Sequence, residues 1–443
     1  MTFPFSLNSP VRFAGPAPQA ADVVIIGGGV IGVMTALYLA QAGEKVVLLE
    51  KGRIAAEQSG RNWGWIRQQG RDPDELPIMV ESLRLWQGLA QQLGPELGFQ
   101  QTGVVYLAES DHDLERQERW LEIAQQHGLD TRLMARCEVE RMMGTSAHWK
   151  GGIITPSDAR AEPWQAVPLL ARLAADAGVV IVEHCAVRRL DLAAGRVTGV
   201  VHEAGTIRAE RVVLAAGAWS RLFLGAHGVA IPQLAVLSSV AATEPMAEIF
   251  PGAAADGAFA FRRRADGGYT IAPGAEHDFF IGRDAFQSFG QYLTVLKKDF
   301  RSTHFHLRAP AGFPDAWGTR RNWAGQSPFE AMRILNPAPN RDALGRVQDR
   351  FARAFPALGR PRLQAVWAGM IDTMPDVVPV VDHAPLAGLT IATGMSGHGF
   401  GIGPGMGRVV ADLVRGRYPG HDLTRFRLSR FSDGSKIRLG PTI

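Results

Sequence analysis

Cysteine is almost missing from this chain: Cys137 and Cys185 are the two it has in 443 residues, far apart and outside any CxxC or Cys/His spacing. No disulfide framework or zinc site can be built from them, no metal site is expected, and a reducing compartment, the cytoplasm, fits. A long unbroken apolar span is missing as well. The run from Val23 to Ala42 is interrupted near its start by Gly27, Gly28 and Gly29, and a mean hydropathy of −0.02 leaves no surplus for a membrane bundle. The first twenty residues, MTFPFSLNSPVRFAGPAPQA, lack a basic start followed by an apolar core, so they read as an extended arm over residues 1–19 rather than a secretory signal. There is no basic run interleaved with aromatic residues, hence no nucleic-acid partner is expected. Repeats of fixed period and low-complexity segments are also lacking.

What is present describes a globular protein. With 46% apolar and 20% charged residues over this length, the chain has ample core for two to three domains. The net charge of +4 is unevenly spread: Lys297–Arg362 carries 13 Lys/Arg against 5 Asp/Glu, and the stretch from Arg408 onward carries 8 against 3. A solvated Arg-rich face is the ordinary reading. Contact with a partner subunit, an anionic substrate or an acidic membrane surface is the alternative, peripheral rather than integral.

The most informative segment is Asp22–Lys51, DVVIIGGGVIGVMTALYLAQAGEKVVLLEK. Val23–Ile26 is an apolar run suited to a buried parallel strand, Val30–Ala42 has helical spacing ended by Gly43, and Lys45–Leu49 is a second buried strand. This is a βαβ unit. Gly27, Gly29 and Gly32 form G-x-G-x-x-G at the strand-to-helix turn, where they permit a tight turn and let backbone N–H groups approach a pyrophosphate. Glu50, closing the second strand, can accept hydrogen bonds from ribose hydroxyls, which disfavours a 2′-phosphate and so NADP.

Further along, Leu85, Leu89 and Leu93 predict a helix over Ser82–Leu93, and Asp113–His127 reads as a second amphipathic helix. Glu162-Pro163 opens a helix to about Ala177, with Pro168 straining it. VVIVEH, AVRRLDL, RVTGVVHE, GTIRAE and RVVLAAG then alternate as a strand, a small antiparallel meander and a last buried strand. Strand-like runs continue over Ile231–Arg264, followed by helical pieces to about Phe355. The block Leu389–Arg415 reads as strand, glycine-rich loop and a helix over Gly407–Val414.

Three segments recur in one known order. Besides the N-terminal unit, AAGAWS (Ala215–Ser220) resembles the second flavin fingerprint of two-dinucleotide-binding-domain flavoproteins, and GLTIATGMSGHGFGIGPGMGRVVADLVRG resembles their C-terminal flavin motif. Over roughly residues 20 to 420 the chain resembles the D-amino-acid oxidase and sarcosine oxidase superfamily of FAD-dependent oxidoreductases. SGRNWGWIRQQGRDPDELPIMVESLRLWQGL (Ser59–Leu89) looks like the β subunit of heterotetrameric sarcosine oxidases and related imino-acid dehydrogenases, and WAGMIDTMPDVVPVVD (Trp367–Asp382) like the segment that passes the flavin.

The resemblance implies FAD and oxidation of the C–N bond of an amine, imino acid or amino acid, with hydride passing to flavin N5. C–O oxidation of a 2-hydroxy acid or glycerol-phosphate substrate, and a subunit active only with partners, are the rival readings. It also implies the placing of residues. Lys51, Val187, Ala216, Gly217 and Trp219 would lie along the cofactor, and Gly397, Gly399, Phe400 and Gly401 near its ring. Arg61 and Asn62 would bind phosphate or ring edge, or only cap a turn. Arg67 would grip the substrate, or only backbone and ribityl. His398 would touch flavin or substrate, or be a satisfied turn histidine, and Trp63, Trp65 and Trp367 would wall a pocket or pack a core.

Two departures follow from the same resemblance. Gly401 stands where monomeric sarcosine oxidases carry a carboxylate-binding lysine, and neither cysteine matches the one that holds a covalent flavin, so the FAD is expected to be non-covalent. The expected architecture is α/β + α+β: a Rossmann-like FAD-binding domain assembled from 20-70, 155-230 and 365-443, and a mixed-sheet substrate domain from 71-154 and 231-364.

Overall fold

Apolar runs punctuated by glycine fold at the N-terminal end as their spacing predicts. Strand Val23–Ile26, helix Val30–Gln41 and strand Val46–Leu49 form a parallel βαβ unit, in register from Val23 opposite Val46 to Ile26 opposite Leu49. The computed structural model describes residues 5–145, 148–318 and 325–440; the parts of the expected arm, substrate domain and C-terminal segment at 1–4, 146–147, 319–324 and 441–443 lie outside the described residues.

The βαβ unit seeds a six-stranded sheet whose order is Val380–His383, Leu389–Thr393, Arg211–Leu214, Val23–Ile26, Val46–Leu49 and Val180–Val182. All neighbours are parallel except the edge pair Val380–His383 and Leu389–Thr393. The predicted meander is Val187–Ala193, Arg196–His202 and Gly205–Arg208, fully antiparallel. A ten-stranded mixed sheet gathers strands from both halves of the chain; its longest ladder pairs Leu234–Thr243 with Leu363–Thr373. A small fourth sheet sets Trp65–Ile66 and Gln100–Gln101 against Ala159–Arg160.

Two helices begin earlier than their local pattern predicts. The helix expected from Ser82 starts at Leu76, with Pro77 in its first turn, where a fixed φ and a missing N–H cost nothing. Its buried face is Ile78, Met79, Ser82, Leu83, Trp86 and Leu89, one row over from Leu85 and Leu93. The helix expected over Gly407–Val414 runs over Gly399–Val414, so most of the supposed glycine loop is helical. Packing overrides the intrinsic cost of glycine there. A Cβ on Gly403 would stand 2.6 Å from Val30 Cγ2, on Gly405 2.6 Å from the Ile78 carbonyl oxygen, and on Gly407 2.5 Å from Met34 Cβ. Pro404 removes a donor from this helix, and Ser82 is inserted beside the gap: its hydroxyl donates to the Gly401 carbonyl (2.8 Å) and accepts from the Gly405 N–H (3.1 Å), while Trp86 Nε1 also donates to Gly401 (2.9 Å). Helix Pro163–Asp176 holds through Pro168.

The N-terminal arm is not detached. Glu183 accepts from the N–H groups of Arg12 and Phe13, and Arg53 donates to the carbonyls of Leu7 and Ser9. Phe5 is buried against Gly60.

Two glycine substitutions separate packing from propensity. Gly407→Ala should destabilise the protein by about 1–3 kcal/mol through overpacking. Gly88→Ala, on the exposed face of helix Leu76–Leu93 with nothing near its Cβ position, should stabilise it by about 0.5–1 kcal/mol. Urea denaturation midpoints of the two variants check both signs.

Candidate active site

The turn after strand Val23–Ile26 needs glycine for steric reasons. Gly27 has φ +115°, and a Cβ there would lie 2.4 Å from the Ala215 carbonyl oxygen; one on Gly32 would lie 2.1 Å from the Gly27 carbonyl oxygen. The second loop of the sheet therefore presses directly on the first. Glu50 accepts from the N–H groups of Gly28 (2.7 Å) and Gly52 (2.6 Å), which fixes its carboxylate beside the turn. Burial pushes this carboxyl up to about 7.

These residues open on a cavity of about 700 Å³ that continues past strand Leu363–Thr373 and the loop Ala392–Phe400. Of the residues singled out from sequence, Gly27, Gly29, Glu50, Lys51, Arg61, Asn62, Arg67, Val187, Ala216, Gly217, Trp219, Gly397, His398, Gly399 and Phe400 line it, as do Trp63 and Trp65. Gly32, Trp367 and Gly401 do not. Gly32 makes the helix-to-turn contact just described. Trp367 is buried in the core, where its Nε1 donates to the Arg61 carbonyl (2.9 Å) and its ring meets Trp164 edge-on. Gly401 packs on strand Trp65–Ile66, a Cβ there lying 3.2 Å from Ile66 Cα. A side chain at this position would meet the backbone of that strand at its first carbon.

Several lining groups are already engaged by protein. Lys51 Nζ binds Glu57 (2.7 Å) and the carbonyls of Met332 and Arg333, and lies over the Trp219 ring at 4.1 Å. Trp219 Nε1 donates to Glu57 as well (2.8 Å). Arg61 donates to the carbonyls of Ala56 and Ala368 and to Asn336, and burial lowers its guanidinium to about 10. Asn62 holds its own loop by donating to Gln58 and Ser59 and accepting from Gly64.

Other features of the site carry no sequence motif. Asp372 is buried; its Oδ2 accepts from the Gly394 N–H (2.8 Å) and Gln233 (3.0 Å), while Oδ1 has no partner among the described residues. Asp158 accepts from the N–H groups of Gln68 and Gln69 and so holds the loop that carries Arg67. The Arg67 guanidinium lies 5.6 Å from the centre of the Tyr106 ring and donates to the Gln69 carbonyl. Arg71, also lining the cavity, is only 2% exposed; its Nε donates to the Arg67 carbonyl, and Nη1 has no partner among the described residues. Burial and the neighbouring Arg67 lower Arg71 to about 9. Glu75, fully buried behind the lining, meets His398 Nδ1 at 3.1 Å. Residues at 67, 71 and 75 look like an ordinary polar approach to a helix, so only their clustering marks them.

The donor set suits a dinucleotide that carries ribityl hydroxyls. The glycine turn leaves room for phosphate, Glu50 and the Asp372 oxygen without a partner among the described residues are acceptors for hydroxyl groups, and helices Val30–Gln41 and Gly399–Val414 both begin at the cavity with no cap from the side chain of the preceding residue, although Ser59 Oγ accepts from the Val30 N–H. Neither cysteine lines the cavity.

Comparison with known proteins places the chain in a family. The family model described as DAO, FAD dependent oxidoreductase, matches residues 22–413. Sarcosine oxidase subunit beta of Rhizobium meliloti (strain 1021) is 26% identical over 434 residues, covering 96% of this chain and 92% of that protein. The structure of L-amino acid deaminase from Proteus myxofaciens in complex with anthranilate superposes with a TM-score of 0.90 at 32% identity, covering 96% of this chain and 98% of that one. L-Proline dehydrogenase from P. horikoshii shares the fold, with a TM-score of 0.78 at 24% identity over 96% of this chain and 100% of that one.

Replacing Glu50 by Gln keeps one acceptor and removes the charge. Hydrogen bonds to a charged group contribute about 1.5–3 kcal/mol, so the Kd of the apoprotein for FAD should rise about 10- to 100-fold. Titration of flavin fluorescence with apoprotein measures this directly.

Proposed function

Because the chain belongs to the FAD-dependent oxidoreductase family, we propose that it oxidises the C–N bond of an amine, imino acid or amino acid to an imine that water then hydrolyses. The observation that carries this reading is one cavity shared by the Gly27–Glu50 cradle and by Arg67, Arg71 and His398. FAD, when bound, accepts the hydride leaving the carbon next to nitrogen. The chain's own part is to bind, orient and dehydrate. The glycine turn would hold the pyrophosphate, Glu50 the ribose, Asp372 a ribityl hydroxyl, and the start of helix Gly399–Val414 would offer its positive end to the ring. Arg67 and Arg71 are the groups suited to a substrate carboxylate, taking the role that Gly401 cannot. Lining residues Val236, Val240, Phe279 and Ile281 would keep water from the reacting atoms.

The relatives named as amine and amino-acid oxidoreductases support the substrate class. We assign 20-70, 155-230 and 365-443 to an FAD-binding domain and 71-154 and 231-364 to a substrate domain. The six-stranded sheet drawn wholly from the first set favours that division, although strand Leu363–Thr373 pairs into the other sheet. We take the FAD to be non-covalent, the protein to be cytoplasmic, and the basic stretches after Lys297 to face a partner subunit. The name of the Rhizobium relative as a β subunit and the exposed Phe300 near Lys297 support the last point.

Anaerobic mixing of the holoenzyme with sarcosine, L-proline, glycine, L-phenylalanine and D-alanine should bleach the flavin with at least one of them. No bleaching by any amine overturns the reading, and bleaching by lactate or glycerol phosphate alone transfers it to C–O oxidation. Arg71→Gln should weaken binding of the active amino acid about 10- to 100-fold, the contribution of a buried charge-assisted hydrogen bond. Acid precipitation should leave the yellow colour in the supernatant. Steady-state titration and precipitation read these two outcomes.

A further inference from the structure

We propose that Glu75 and His398 act as one buried proton acceptor for the ammonium group of the substrate, His398 Nε2 receiving the proton and Glu75 taking the one displaced from Nδ1. The proposal rests on the C–N oxidation reading, because an amine can lose hydride from its carbon only after its nitrogen is neutral. An ordinary aliphatic amine is protonated at neutral pH. The cavity must therefore either admit the free amine alone or hold a group that takes its proton.

Geometry singles out this pair. His398 precedes helix Gly399–Val414, lines the cavity, and has a side chain 17% exposed; its Nε2 has no partner among the described residues. Behind it Nδ1 meets Glu75 Oε2 at 3.1 Å, and Glu75 is wholly buried with Oε1 unpartnered among the described residues. The charged groups facing the pair are Arg67 and Arg71 on the preceding loop, Asp72 beside them, and Asp376 and Arg425 from the C-terminal segments. Asp376 is itself held by Arg430 at 2.8 Å. Burial together with Arg71 and Arg67 holds His398 well below its ordinary value, so an imidazolium is disfavoured. A proton arriving at Nε2 cannot stay as added charge on the ring. It is accommodated if Nδ1 releases its own proton to Glu75, whose carboxyl burial raises to about 7.

The step balances. The substrate N–H bond breaks, its electron pair stays on nitrogen, and a bond forms to His398 Nε2. The Nδ1–H bond breaks and an O–H bond forms on Glu75. An ammonium and a carboxylate become an amine and a carboxylic acid, with a neutral imidazole before and after. Glu75 acts through His398 and is a positioning and proton-storing residue.

Holoenzyme labelled with 15N in its histidine rings tests this, with His398→Gln assigning the signal. Between pH 8.5 and 5.5 His398 should remain neutral and change from the Nδ1–H to the Nε2–H tautomer through about pH 7, the same proton movement driven by solvent. Glu75→Gln should abolish the change. Conversion to imidazolium in that range, or one tautomer throughout in the unmodified protein, overturns the proposal. In parallel, anaerobic flavin reduction by the active amino acid should fall about tenfold per pH unit below the pair's midpoint in the unmodified enzyme. In Glu75→Gln that limb should disappear and the rate at pH 8 should drop about 100-fold. A limb retained in Glu75→Gln also counts against the pair. If the tautomer change is seen but no amine bleaches the flavin, the substrate reading fails and the proton-holding pair stands. Bleaching without the tautomer change keeps the substrate reading and removes the pair.

Discussion

The close approach of three helices sets the geometry of this molecule. Helix Gly399–Val414 lies so near Val30–Gln41 and Leu76–Leu93 that a Cβ at Gly403, Gly405 or Gly407 would stand within 2.6 Å of a neighbouring atom. Close packing of this kind leaves little freedom in register or crossing angle. It brings Gly29, Glu75 and His398, the residues that precede the three helices, to one side of the core. None of the three ends is capped by its own side chain. Ser59 Oγ accepts from the Val30 N–H and the Asp72 carbonyl from the Leu76 N–H, while helices Val30–Gln41 and Gly399–Val414 still direct their positive dipole ends at the cavity.

Around the cavity lie several charged groups removed from water. Glu50, Arg61, Arg71, Glu75, Asp158 and Asp372 are all shifted toward their neutral forms by burial. A fold selected for stability alone gains little from such residues, since desolvation opposes every one. Some have a structural use: Asp158 orders the loop after Arg67, and Arg61 ties the glycine-rich segment to strand Leu363–Thr373. Others keep a polar atom without a partner among the described residues in or next to the cavity, as Arg71, Glu75 and Asp372 do. Unsatisfied buried groups that converge on one concave space are what a binding site looks like before its ligand is considered.

Gly401 shows how backbone packing constrains chemistry. At this position a side chain would press on the strand that carries Trp65 and Ile66, while the Gly401 carbonyl is held by Ser82 and Trp86. Charge for an anionic substrate must then come from elsewhere in the wall. Arg67 and Arg71 line the cavity on a loop fixed by Asp158, where they could supply it, and they also bear on the protonation of His398.

Local pattern was enough for the N-terminal βαβ unit, the glycine turn with Glu50 and the meander, because each depends on neighbours a few residues away, whereas the order of the flavin-type segments was legible only through resemblance to a known family. Local pattern reached only the minor part of the lining, the motif residues that travel with their loops; the walls contributed by 234–240 and 274–305 carry no motif. It could not reveal that the C-terminal glycines are helical, because glycine is a poor helix former until a neighbouring helix demands the space. Nor could it separate Trp367, turned into the core to hold the Arg61 carbonyl, from Trp63 and Trp65, which face the cavity. Arg71, Glu75 and Asp372 carry no signal in their own surroundings; their roles arise from contacts such as Glu75 with His398 and Asp372 with Gly394, formed between segments distant in the chain. Short-range sterics and periodicity are written along the chain, whereas burial, and the shifts in charge it causes, exist only once distant segments have excluded water from each other.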